Sequence, residues 1–145
     1  VACAAQMADR LVIVSDELPG AIPALARCGS LAVRLGVART RIVRLMNGCD
    51  PRKRDESFVA RAAVGLECAR ELRVLDGGLD LVELASAGEC GRLSQSDNPA
   101  ALGATCGLAG LLKELGTLPE CEAARAALEG GQRRRRLFGF AREAS

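Results

Sequence analysis

Histidine, tryptophan and tyrosine are absent from this 145-residue chain, and phenylalanine occurs three times. The absence of histidine removes the most frequent general base of enzymes and the usual partner of a serine or cysteine nucleophile. Cysteines without a recognisable base or cationic neighbour are normally inert thiols. We therefore predict that the chain is not an enzyme and has no catalytic residues.

The low aromatic content, 2% of the chain, argues against β-sandwiches and β-barrels, which use aromatic and β-branched side chains to fill a pleated surface. Hydrophobic residues still make up 49% of the chain. They are mainly Ala and Leu, which form helices readily. This composition predicts an all-α protein.

The seven cysteines include no CxxC pair, and there is no histidine to complete a zinc site. We therefore predict no metal site and no cofactor. The spacing, about one cysteine per predicted helix, is typical of small buried apolar groups. Cys68 and Cys106 are predicted to be buried and unpaired, whereas the alternative, a disulfide framework, would leave one thiol over. Unpaired thiols favour a reducing, intracellular and cytoplasmic location.

Long apolar runs are also missing. A membrane helix needs about 18 consecutive apolar residues, and the apolar run at 11–14 is soon followed by Asp16 and Glu17. No basic segment precedes an apolar run near the first residue, so the sequence predicts no signal peptide. We accordingly expect no membrane span.

Glycine and proline residues divide the chain into helical segments. Asn98 and Pro99 have the residue types of an N-cap and a first helical position. Thr117 and Glu120 have the spacing of a capping box. The Val-Ile-Val run at 12–14 leaves a strand open as an alternative for the first segment. The predicted helices are residues 4–17, 21–27, 31–46, 56–75, 79–87, 99–115 and 117–128.

A glycine turn followed by a short apolar segment occurs twice. Residues 20–25 read Gly-Ala-Ile-Pro-Ala-Leu, and residues 77–84 read Gly-Gly-Leu-Asp-Leu-Val-Glu-Leu. These phrases resemble armadillo repeats, in which such a phrase opens a short second helix ahead of a long third helix. The interval between the glycine landmarks Gly20, Gly78 and Gly131 is longer than the about 40–47 residues typical of that class.

The armadillo resemblance covers residues 17–131. It implies that the all-α fold is a short right-handed helical solenoid, with an irregular helical bundle as the alternative, in either case of about six to eight helices. It further implies a single helical domain over 1–131, built from two units at 17–76 and 77–131, and a basic tail at 132–145. Because stacked repeats stabilise one another and about three or more are usually needed, this short array implies a protein partner or a larger complex.

Helical solenoids use the exposed faces of their helices to bind proteins. The resemblance therefore implies a non-catalytic protein–protein interaction module, either an armadillo-like scaffold or a subunit or fragment of a larger assembly. The candidate surface is formed by the long helices at 56–75 and 99–115 together with the basic tail. Its candidate partner-binding residues are Arg61, Arg70, Lys113, Glu114, Arg133, Arg134, Arg135 and Arg136.

A second, local resemblance is to the helix-turn-helix of bacterial repressors of the Cro and LacI kind. It covers residues 31–48, where Ala32 is small enough for two helices to approach and Gly36 can adopt the left-handed turn conformation. This resemblance implies the alternative function, a DNA-binding transcriptional regulator with nucleic acid as its partner. The residues that would reach the major groove are Arg39, Thr40, Arg41 and Arg44.

Overall fold

The computed structural model describes residues 2–50 and 70–139. The chain divides into two compact units, Val1–Asp76 and Gly77–Ser145. The elements in chain order are α1 (Ala2–Met7), β1 (Leu11–Ser15), α2 (Ala21–Arg34), β2 (Ile42–Cys49), β3 (Arg70–Leu75), α3 (Gly78–Ser86), α4 (Pro99–Glu114) and α5 (Glu122–Gly139). Short 3-10 helices lie at Arg39–Arg41 and Cys90–Gln95.

The first unit is built on a parallel sheet in which β2 lies between β1 and β3. Two parallel strands need a crossover connection, and α2 provides it between β1 and β2. Arg44 on β2 lies beside Ile13 on β1 and beside Glu71 on β3. The ladder between β2 and β3 is irregular between Met46 and Cys49. Gly48 adopts a φ of +66° in this irregular stretch, a conformation that glycine reaches without steric cost.

A small apolar core lies against one face of this sheet. Successive side chains of a strand point to opposite faces, so alternate residues of β1 have different surroundings. Val12 and Val14 are exposed on the other face, at 39% and 61%. The core cluster consists of Ala32, Val37 and Ile42, with Leu11 and Ile13 packed against it.

The second unit is helical in its described part. Asn98 caps α4: its Oδ1 accepts a hydrogen bond of 3.0 Å from the Ala100 N–H, and Pro99 occupies the first helical turn. The predicted N-cap and first helical position are therefore confirmed. Ala109 and Leu111 of α4 are buried. The predicted helices at 79–87 and 99–115 correspond to α3 and α4.

The all-α prediction is wrong, because three predicted helical segments contain strands. Residues 11–15 form β1 within the segment expected to be one helix, and residues 42–49 form β2. The end of the predicted helix at 56–75 is β3, and its residues 56–69 lie outside the described residues. Intrinsic helix preference is a weak term of less than about 1 kcal/mol per ordinary residue, and pairing between distant strands outweighs it here.

The armadillo prediction is wrong as well. Gly20 lies between a strand and a helix, Gly78 is the first residue of α3 with a φ of +65°, and Gly131 lies inside α5. The three glycines that should mark equivalent turns therefore occupy three different structural positions. The described part of the chain contains no helical repeat whose boundaries these glycines could mark.

The helix-turn-helix prediction is also wrong. Gly36 does adopt a left-handed φ of +89°, as predicted, but it follows the end of α2 rather than joining two helices. The expected recognition helix is a 3-10 turn at Arg39–Arg41 followed directly by β2. A strand in the middle of a sheet cannot enter a DNA groove as a recognition helix does.

The predicted capping box does not start a helix. Thr117 Oγ1 lies 3.5 Å from the carbonyl oxygen of Leu112 in the preceding helix. The last helix begins at Glu122 instead and continues through Gly130 and Gly131, where the sequence predicted a stop.

Among residues 2–50 and 70–139, no helix combines the length and the apolar character needed to cross a bilayer.

Candidate functional site

A group of mutually connected polar residues lies at the carboxyl ends of the three described strands. Ligands of open parallel sheets characteristically bind outside this edge. Here β1 is followed by Glu17, β2 ends at Cys49 and is followed by Asp50, and β3 contributes Arg73 close to its end. We call Glu17, Cys49, Asp50 and Arg73 the carboxyl-edge cluster.

Glu17 is the centre of this cluster. Its Oε1 accepts a hydrogen bond of 2.8 Å from the Arg73 guanidinium, and its Oε2 accepts one of 3.2 Å from the Asp50 N–H. The Glu17 side chain is 18% exposed and that of Arg73 39%. One carboxylate, carried by the β1–α2 turn, therefore contacts both other strands of the sheet.

The environment of Glu17 favours its ionised form. Burial by itself raises the pKa of this carboxyl, but the neighbouring Cys49 thiol and the hydrogen bonds from the Asp50 N–H and Arg73 outweigh that effect and lower the pKa below its ordinary value. Burial lowers the pKa of Arg73, and its contacts with Cys49 and Glu17 raise it by more. The pair is therefore an ion pair over the ordinary pH range.

Cys49 is the buried thiol of the cluster, with no exposed surface. Its Sγ lies 3.4 Å from the carbonyl oxygen of Met46. Burial raises the pKa of the thiol; Arg73 opposes this shift and Glu17 adds to it. A covered thiol with a raised pKa is a poor nucleophile. The cluster therefore has the chemistry of a structural contact rather than that of a covalent catalyst.

Metal binding finds no support in the described part of the chain. No group of three or more His, Cys, Asp or Glu side chains there is arranged to hold a metal ion. The carboxylate of Glu17 is also already engaged by Arg73, whose positive charge disfavours a cation beside it.

The predicted DNA-contacting residues do not form one surface. Arg39 and Thr40 are exposed, whereas Arg41 donates a hydrogen bond of 3.2 Å to the backbone carbonyl of Gln6. Arg44 is 2% exposed and forms an ion pair with Glu71. A guanidinium in the central strand, held by a neighbouring strand, is not available to a phosphate or a base.

The predicted partner-binding residues are widely distributed. Lys113 and Glu114 are exposed at the end of α4, and Arg70 is half-buried at the start of β3. Arg61 lies outside the described residues. Residues 133–136 belong to α5, but their side chains lie outside the described part of the structure.

The cysteines follow their prediction in part. Cys106 is free, as expected, but half-buried rather than fully buried. Cys68 lies outside the described residues. Cys3, Cys28 and Cys121 are exposed, so the thiols are not all small core residues.

Sequence reasoning did not identify the carboxyl-edge cluster. Its signal was an acidic residue shortly after each of the mainly apolar segments at 11–14 and 42–46, which is typical of a parallel sheet edge. A surface on α3 was missed too: Leu79 is 77% exposed and Val82 is 58% exposed.

No protein-family model matches this chain, and neither the curated proteins nor the solved structures include a significant match to it.

Proposed function

We propose that this chain is a non-catalytic protein-binding module that contacts its partner through α3. The observation that carries the proposal is the exposure of this helix. It contains Leu79, Leu81, Val82 and Leu84, yet none of its nine residues is buried. Apolar residues of a helix are normally covered by the rest of the protein. An uncovered set of them is typical of an interaction surface.

The two sides of α3 differ in exposure. Leu81 and Leu84 are half-buried, whereas Leu79 and Val82 are exposed. Residues three apart lie on the same side of a helix, so Leu79 and Val82 form one continuous apolar surface. We call Leu79 and Val82 the α3 surface.

The charge around the α3 surface favours a particular kind of partner. Asp80 and Glu83 are exposed on the same helix, which carries no basic residue. A complementary surface would therefore combine apolar side chains with lysine or arginine at its rim. Amphipathic helices and hydrophobic grooves with basic residues at their edges are surfaces of this kind, and both commonly mediate protein binding.

Other exposed apolar side chains support the proposal less well. Leu31 on α2 and Leu108 on α4 are exposed at 54% and 58%, but single apolar residues are normal on protein surfaces. Val12 and Val14 lie on β1, at an edge of the described sheet. Parallel sheets are normally covered on both faces, so these valines are a second uncovered apolar pair, but Val12 is less exposed than either residue of the α3 surface.

The test is site-specific photo-crosslinking in cells that express the chain. A photoreactive residue at position 79 should yield a discrete cross-linked partner, and Val82→Asp should abolish that product because it places a charge in the apolar contact. The matched control is a photoreactive residue at position 31, another exposed leucine. The proposal fails if position 79 yields no discrete product, or the same products as position 31.

A further inference from the structure

The β1–α2 turn, residues 16–20, has local contacts within the turn and, through Glu17, contacts with the rest of the sheet. Asp16 accepts a hydrogen bond of 3.1 Å from the Leu18 N–H, and the Leu18 carbonyl accepts one of 2.9 Å from the Ala21 N–H. These contacts are local to the turn. Asp16, Leu18, Pro19 and Gly20 are all exposed, and Leu18 has 64% of its surface accessible.

Glu17 differs from the rest of the turn because its contacts reach across the sheet. It accepts hydrogen bonds from the Asp50 N–H after β2 and from Arg73 on β3. The contact with Arg73 joins residues 56 positions apart in the sequence. The turn is therefore connected to both neighbouring strands through one side chain.

Cys49 is the third side chain at this connection. The thiol has no exposed surface, and its nearest ionisable neighbours are Glu17 and Arg73. The peptide group of the same residue stays in the sheet, where the Cys49 carbonyl accepts a hydrogen bond of 3.0 Å from the Asp76 N–H. The side chain can therefore be uncovered without breaking the strand pairing around it.

We propose that Glu17 is a releasable clasp: its carboxylate holds the β1–α2 turn over the ends of β2 and β3 and covers the Cys49 thiol. Loss of the Glu17–Arg73 contact then opens the carboxyl edge locally while the rest of the sheet stays folded. The contact suits this role because Arg73 is solvent-accessible and exposed ion pairs are weak. Segments held by few buried contacts are those that open below the free energy of global unfolding.

The clasp is tested by alkylation of the native full-length chain with iodoacetamide, with labelling of each cysteine followed by peptide mass spectrometry. Glu17→Gln and Arg73→Gln should each raise the labelling rate of Cys49, by roughly fivefold for an exposed ion pair. Asp16→Asn is the matched control. It removes a neighbouring charge and keeps an oxygen for the Leu18 N–H, so Cys49 labelling should not change.

Two variants are needed because each also changes the ionisation of the thiol. Glu17 raises the pKa of Cys49 and Arg73 lowers it, so an effect on ionisation alone would change labelling in opposite directions in the two variants. Opening of the turn accelerates labelling in both. Opposite changes, or no change in either variant, would overturn the proposal.

Global unfolding is the remaining alternative. Urea denaturation of each variant gives the change in its unfolding equilibrium, and a local clasp requires the acceleration at Cys49 to exceed that change. An acceleration equal to the change in global stability would show that the turn does not open independently, and the clasp would be rejected.

Discussion

At the scale of single residues, Arg44 shows how position in the fold determines the role of a charge. In the sequence it belongs to a basic stretch that resembles a recognition helix. In the structure it lies on the central strand, 2% exposed, and pairs with Glu71 on β3. A buried charge is tolerated only with a close partner, and Glu71 provides it. The role of Arg44 is therefore to stabilise the sheet, and its guanidinium is not available to a ligand.

Replacing Arg44 tests this role. Arg44→Ala should lower the free energy of unfolding by about 3 kcal/mol, since it deletes a large buried side chain and removes the ion-pair partner of the partly exposed Glu71. Urea denaturation measures the change, and Arg27→Ala at an exposed position of α2 is the control, with an expected effect within about 0.5 kcal/mol. Equal effects of the two substitutions would contradict the ion-pair interpretation.

At the scale of elements, α4 depends on a cap that also connects it to α3. Asn98 accepts a hydrogen bond from the Ala100 N–H, and its Nδ2 donates one of 2.9 Å to the Gly77 carbonyl just before α3. Gly77 has no room for a side chain, because an added Cβ would lie 2.8 Å from Leu81 and 2.9 Å from Asn98 Oδ1. The start of α4 and the start of α3 are therefore fixed by the same two residues.

The two hydrogen bonds of Asn98 can be separated by substitution. Asn98→Ala removes the cap and should cost about 1–2 kcal/mol of stability. Asn98→Ser keeps a side-chain oxygen for the Ala100 N–H and loses the donor to Gly77, so its cost should be smaller. Thermal unfolding followed by circular dichroism measures both. A Ser variant as unstable as the Ala variant would assign the main contribution to the Gly77 contact instead.

At the scale of the whole molecule, the five described cysteines are free and differ widely in exposure. They lie in both compact units, so their reactivity reports on the described parts of each unit. Accessible thiols react and buried thiols with a raised pKa do not. The fold therefore predicts an order of reactivity that the spacing of the cysteines along the sequence cannot provide.

Alkylation without reductant, followed over time, measures this order in the unmodified protein. Cys3, Cys28 and Cys121 should label first, Cys106 later, and Cys49 last. The same reaction in urea is the control, where the differences in rate should largely disappear. Labelling of Cys49 as fast as Cys28 under native conditions would contradict the burial of the β2 terminus.

Local signals in the sequence were sufficient for part of this structure. The N-cap at Asn98, the helices α3 and α4 and the left-handed Gly36 depend on residues close together in the chain, and all were predictable. The scarcity of aromatic residues argued against β-sandwiches and barrels. It did not argue against a parallel sheet, whose strands are filled by Val, Ile and Leu. The apolar run at 11–14 carried that signal, whereas Arg44, Glu71 and Arg73 interrupt the other two strands and concealed them.

Only the tertiary structure decided the sheet, its register and the carboxyl-edge cluster. Strand pairing is a contact between distant segments, and its stabilisation is absent from any local window of sequence. Glu17 and Arg73 meet because β1 and β3 flank the same central strand, and Arg44 is buried because β2 is that strand. Residue type and local order therefore determined the Asn98 cap and the left-handed turn at Gly36. Long-range pairing determined which charges are buried, which are exposed and which contact one another.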